Sequence, residues 1–276
     1  MKVVVFDLDE TLGYFFELGK FWELLQVYFK EKKKEELSTQ QNFYELLDLF
    51  PEFIRPNIYS ILNFLKHKKE KKECNAVMIY TNNQGPRFWV SLIIQYFHEK
   101  MHYSLFDQII SAFKINGKRL ELCRTTHDKT MSDFIRCTKL PKNTEICFLD
   151  DMFHPKMSVD NVYYIKVNPY VHNLSFHIMI QRFISSDLGK RLCHDLCNDE
   201  FKNFAENYLN EFVYVYSEKS KEEYEIDKIV SKKTMLLLQD FFKKTEKKRT
   251  QKHNNSKKNK RKTVKSREPR FPCDPS

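Results

Sequence analysis

Two short apolar runs, each stopped abruptly by carboxylates, constrain this chain more than any other feature. Val3-Val4-Val5-Phe6 runs straight into Asp7-Leu8-Asp9, and Ile146-Cys147-Phe148-Leu149 runs into Asp150-Asp151. An unbroken apolar run of this length fits a strand buried on both faces, because a half-exposed strand would alternate. Ala76–Tyr80 is a third such run and ends in Thr81-Asn82, while Phe106–Phe113 and Val162–Val167 read as two more. Helical spacing fills the intervals: Phe21, Leu24, Leu25 and Tyr28, then Ile58, Ile61, Leu62 and Leu65, then Trp89, Leu92, Ile93 and Tyr96. Strands alternating with amphipathic helices predict an α/β fold with a mostly parallel sheet covered on both faces.

The placement of charge divides the chain. The net charge is +10, yet residues 243–267 hold thirteen Lys/Arg and one acid, Glu246. The remainder therefore carries 34 basic and 36 acidic residues, so the body is slightly acidic. A Lys/Asn/Ser-rich run of that kind buries little apolar surface and predicts a disordered basic tail over 243–276. Such a tail fits three roles: an import signal, a tether to nucleic acid or an acidic protein, or a solubilising end. Upstream, the expected organisation is a catalytic core over 1–173 with a helical insert at 14–54, then a helical extension over 174–242. The five glycines are too far apart for a GxGxxG turn or a Walker A loop, which excludes the common nucleotide-binding loops.

Seven cysteines, an odd number, are scattered along the chain. With no secretory pattern at the start and no run long enough to span a membrane, the expectation is an intracellular protein of cytoplasm or nucleus with reduced thiols. Cys193, His194 and Cys197, with His172 and His177 upstream, lack the paired spacing of a zinc site and are expected to be ordinary thiols and imidazoles.

The strand ends carry the chemistry. Residues two apart on an extended segment share a face, so Asp7 and Asp9 point the same way while Leu8 turns inward. In a parallel α/β sheet the ligand crevice lies beyond the carboxyl ends of the strands. Asp7, Asp9, Asp150 and Asp151 would meet there with Thr81 and Asn82. Four converging carboxylates cannot all ionise without a cation, and an oxygen-only donor set favours a hard ion such as Mg²⁺.

FDLDETLG, IYTNN, a downstream Lys129 and FLDD together resemble the four motifs of the haloacid dehalogenase (HAD) superfamily of phosphotransferases. The resemblance covers Lys2 to Val167. Within that superfamily DLDETL, with Arg55-Pro56 opening the helix before the second strand, is similar to the NLI-interacting-factor-like protein phosphatases. The longer run DLDETLGYFFELG with YTNNQG and ICFLDD is similar to versions encoded by large DNA viruses. The resemblance implies a Rossmann-like three-layer core and a phosphatase that forms an aspartyl-phosphate. Asp7 would be the nucleophile and Asp9 the acid and base. Thr81 and Asn82 would hold phosphate, and Lys129 would neutralise charge, although Lys114 and Lys118 lie in the same interval. Asp7, Asp9, Asp150 and Asp151 would hold Mg²⁺, with the direct ligand of the last pair left open. The implied substrate is a phosphoserine or phosphothreonine protein. Tyr-Thr-Asn-Asn-Gln-Gly at the second motif departs from that branch and resembles histidinol-phosphate phosphatases and polynucleotide 3′-phosphatases, so a nucleic-acid end or a small phosphomonoester is the alternative. An idle scaffold is a third. The aromatics Phe15, Phe16, Phe21, Trp22, Tyr28 and Phe29 are expected to be helix packing rather than a substrate surface.

Overall fold

The structure, a computed structural model, describes residues 1–86, 88–193, 198–210, 212 and 216–264, except for the side chains of 198 and 244–264. Five strands form one parallel sheet: β1 (Lys2–Phe6), β2 (Ala76–Tyr80), β3 (Gln108–Ile110), β6 (Glu145–Asp150) and β7 (Val162–Lys166). Their spatial order is β3-β2-β1-β6-β7. Two shorter strands, β4 (Lys114–Ile115) and β5 (Lys118–Arg119), pair antiparallel on their own. β1 lies between β2 and β6, with Phe6 opposite Ile79 on one side and Leu149 on the other. All five residues of β1 and of β2 are buried, as the unbroken apolar runs require.

Period-two alternation sorts β1 between two cores. Val3 and Val5 share a cluster with Met78, Tyr80, Ile146 and Phe148, capped by Phe134 of α5 (Met131–Thr138). Val4 and Phe6 point to the opposite face, where Phe6 meets Phe106 edge-on at 6.3 Å. α3 (Ile58–Glu70) and α4 (Trp89–Met101) are the crossovers from β1 to β2 and from β2 to β3. Crossovers of one hand place them on the face away from α5, because the chain reverses direction across the sheet between β3 and β6. The switch of direction falls between β1 and β6, where such folds bind ligands.

The insert forms α1 (Phe16–Glu31) and α2 (Gln40–Asp48). The expected helical extension packs directly on it through α6 (Phe176–Ser185), α7 (Asp187–Leu192) and α8 (Asn198–Asn210). Phe21 meets Phe183 at 5.5 Å, Tyr28 meets Phe201 at 5.0 Å, and Arg182 donates to the Leu49 carbonyl at 2.9 Å. The aromatic spacing of α1 is therefore chiefly packing, with Phe15, Phe21, Trp22, Tyr28 and Phe29 buried.

Several boundaries differ from expectation. The third strand is only three residues long, and the chain then enters the β4–β5 hairpin, whose turn takes positive φ at Asn116 and Gly117 (48° and 75°). Pro56 does not open α3: Asn57 caps it from the left-handed region at φ 61°, a conformation Asn tolerates better than most residues. α9 (Lys221–Val264) continues through most of the segment expected to be disordered. No Gly or Pro interrupts that stretch, and Lys, Arg and Gln are good helix formers. The chain divides into two compact units, Met1–Met235 and Leu236–Ser276. Cys123 and Cys137 are joined as a disulfide, where reduced thiols were expected. Cys193 is a buried free thiol, while His194 and Cys197 lie outside the described residues. Among the described residues no helix is long and apolar enough to cross a membrane.

Candidate active site

Register alone brings Asp7 and Asp150 together. Phe6 pairs with Leu149, and the Asp7 amide donates to the Leu149 carbonyl at 2.9 Å, so the two acids leave neighbouring strands side by side. Between them stands Lys129, which is 1% exposed. Its Nζ lies 2.7 Å from Asp7 Oδ1 and 2.7 Å from Asp150 Oδ2. It reaches them from two residues before α5, next to the helix cap. Thr130 caps that helix by accepting from the Asp133 amide at 3.1 Å, which fixes the direction of approach. Of the three lysines in the interval, Lys129 is the one brought to the carboxylates.

Asp151 is held by Thr11, whose hydroxyl donates to Oδ1 and accepts from the Asp151 amide, both at 3.2 Å. Carboxylate oxygens of Asp7, Asp150 and Asp151 all lie within 4.8 Å of one another. Asp150 has both oxygens engaged: Oδ1 accepts from the Met152 amide at 2.8 Å, and Oδ2 faces Lys129 and, at 3.4 Å, His154. Asp9 lies outside that set and accepts from Asn83 Nδ2 at 2.8 Å. Thr81, 1% exposed, follows β2 to the same edge, and its hydroxyl accepts from the Asn83 amide at 3.0 Å. Asn82, expected beside Thr81 at the phosphate, instead accepts from Arg124 through its side-chain Oδ1 at 2.7 Å. Asn83 is the amide that meets the carboxylates.

These environments push the acids apart. Burial raises Asp7, and the Asp150 charge adds to this, while Lys129 works against it. Burial pushes Asp9 up to about 6 against the Asn83 hydrogen bond, with the Asp7 charge reinforcing the rise. Burial and the charges of Asp7 and Asp150 likewise push Asp151 up to about 6. At Asp150 burial also acts upward, but the His154 hydrogen bond and Lys129 outweigh it and hold the acid below its ordinary value. One acid is thus firmly ionised and another poised to carry a proton near neutrality, the division that acid–base chemistry needs.

Two buried arginines, neither visible as part of the site in the sequence, hold the loops in place. Arg124 is fully buried and donates to the carbonyls of Thr81, Ser111 and His127, each at 2.9 Å. It thereby ties the end of β2 to the loop that carries Lys129. Arg55 donates to the carbonyls of Glu10, Thr11 at 2.6 Å and Asn168 at 2.8 Å, clamping the turn after Asp9. In that turn Gly13 has no room for a side chain: a Cβ would lie 2.4 Å from the Phe53 carbonyl oxygen. Arg124 sits in irregular loop with no periodic signal, whereas Thr11 and Asn83 lie inside the DLDETLG and YTNN runs and were there to be read.

A cavity of about 480 Å³ opens beside Asp9. Tyr14, Phe15, Phe16, Trp22 and Trp89 supply its apolar wall, and Glu10, Lys20 and Glu23 its polar rim. No protein-family model, curated protein or solved structure matches this chain.

Proposed function

We propose that the chain is a Mg²⁺-dependent phosphomonoester hydrolase that works through an aspartyl-phosphate on Asp7. The observation that carries this reading is Lys129 bridging Asp7 and Asp150 at a sheet switch point, with Asp151 alongside and Asp9 held free of that cluster. One lysine cannot neutralise three clustered carboxylates, and every donor is a hard oxygen, so the residues fit Mg²⁺. Asp7 and Asp151 would hold it, since both oxygens of Asp150 are already engaged. When bound, the ion supplies charge neutralisation for the phosphoryl oxygens.

Asp7 attacks phosphorus as the bond to the leaving oxygen breaks, and Asp9 gives its proton to that oxygen. Lys129 draws negative charge away from the transferring group, and Thr81 with the Asn83 amide faces the same edge to receive phosphate oxygens. In the second step Asp9 takes a proton from water as the water oxygen attacks phosphorus. The phosphorus–Asp7 bond breaks, releasing phosphate and restoring both acids. The poised proton on Asp9 suits it to both steps.

Hydrolysis of a generic aryl phosphate by the full chain tests the reading. It should require Mg²⁺, stop with excess chelator and vanish in Asp7→Asn. Turnover that survives either chelation or the substitution overturns it.

A further inference from the structure

The aromatic cavity does not end at Asp9. Lys20, Glu23, Gln84, Gly85 and Pro86 line both it and a second cavity of about 520 Å³, so the two form one groove. The far part is lined by the β4–β5 hairpin, where Lys118 and Arg119 are exposed. The Lys118 side chain has no ion pair or hydrogen bond among the described residues, and Arg119 is tied to the carbonyls of Leu122 and Arg124 at 2.8 and 2.6 Å. Arg119 is thus fixed in place, while Lys118 is available. Starting from Asp9, the groove runs past planar rings and then to the positive charge of Lys118 and Arg119.

We infer that this groove binds the phosphorylated end of a single-stranded polynucleotide, an inference that rests on the phosphatase reading above and names its substrate class. The terminal phosphate meets Asp7, and the end nucleoside enters the aromatic cavity. The next backbone phosphate lies at Lys118 and Arg119, since Lys20 is paired with Glu23 at 3.0 Å. Phe16, 48% exposed, offers a face for a base, and stacking of that kind is how proteins hold unpaired nucleotides without reading their sequence. The cavity volume is in the range of small-ligand sites, about 300–1,000 Å³. Glu10 and Glu23 at its rim accept hydrogen bonds, which suits the edge N–H groups of a base. The same chain carries thirteen Lys/Arg within 243–267, an independent source of affinity for a polyanion.

The test compares four substrates with the full chain and Mg²⁺. These are a short thymidine oligonucleotide phosphorylated at its 3′ or its 5′ end, a phosphoserine peptide, and the aryl phosphate. One oligonucleotide should exceed the peptide in kcat/KM by at least about 100-fold, with a KM that rises steeply with salt. Lys118→Glu should lower that kcat/KM about tenfold and flatten the salt dependence, and Phe16→Ala should lower it about tenfold at every salt concentration. Equal or better turnover of the peptide overturns the inference, as does oligonucleotide turnover indifferent to both substitutions. In either case aryl phosphate hydrolysis would leave the phosphatase reading standing. If none of the four is hydrolysed, the phosphatase reading falls and the substrate class with it.

Discussion

The carboxyl edge of the sheet and the first turn of α1 both bury acids, and they treat them differently. At the edge Asp7 and Asp150 are each 2.7 Å from the same ammonium group, and Asp151 and Asp9 accept from Thr11 and Asn83. In α1 Glu17 is fully buried, and neither carboxylate oxygen has a hydrogen-bond partner. The edge concentrates charge where chemistry can use it and supplies counter-charge to hold it there. The helical layer buries its acid with nothing to answer it. The contrast teaches that burial of charge by itself does not mark a site; the partners do.

The strongest test separates activity from stability at the edge. Asp7→Asn should remove activity by more than about a thousandfold. It should not lower the urea midpoint, since Lys129 keeps Asp150 and one member of a crowded set of acids is gone. A marked loss of stability would mean that Asp7 is there for the fold.

Lys129→Met probes the same cluster from the cation side. It leaves Asp150 ionised and buried without its lysine, which should cost about 3–5 kcal/mol in denaturant unfolding. Aryl phosphate turnover should also fall by about 10²–10³. Both losses should appear together. A variant that is stable but inactive would confine Lys129 to chemistry and refute the balance of charges described for the edge.

How far this site was legible in the sequence follows from the kind of signal each residue leaves. Strand ends are readable because an unbroken apolar run stopped by Asp7 or by Asp150 gives both the element and its exit point. The parallel sheet and the meeting of Asp7, Asp150, Asp151 and Thr81 at one edge follow from those exits, and the helical insert follows from its periodicity. Side-chain direction in an irregular loop leaves no such trace. The choice of Asn83 over Asn82 depends on how the chain turns after Thr81, and Arg124 is recruited by three carbonyls from separate segments. The continuation of α9 rests on another signal: residues 221–264 hold no Gly or Pro, and polarity alone does not end a helix. The Asn116-Gly117 turn is legible from its residues, whereas the end of β3 at Ile110 leaves no such mark.

Arg124→Lys tests that recruited part. A lysine keeps the charge but cannot span the carbonyls of Thr81, Ser111 and His127, and unsatisfied buried carbonyls should cost about 2–3 kcal/mol. Turnover should drop about tenfold, because the ends of β2 and of the Lys129 loop are no longer fixed to each other. A change in thermal midpoint with full activity would show that the tie serves only the fold.

The other side of the comparison predicts a gain. Burial pushes Glu17 up to about 7, with only its own backbone N–H acting in the opposite direction. A carboxyl whose folded value is raised binds more protons folded than unfolded, so stability falls as pH rises from the ordinary glutamate range to about 7. Below that window the acid is protonated in both states and the charge penalty disappears. Glu17→Met, close in shape and without charge, should therefore raise unfolding stability at pH 8 by on the order of 2 kcal/mol, and by much less at pH 4. Urea midpoints at the two pH values measure this. A gain independent of pH would assign the effect to packing, and no gain at pH 8 would mean that the carboxylate is answered after all. In either case the difference between the two buried acid sites would have to be explained by something other than charge.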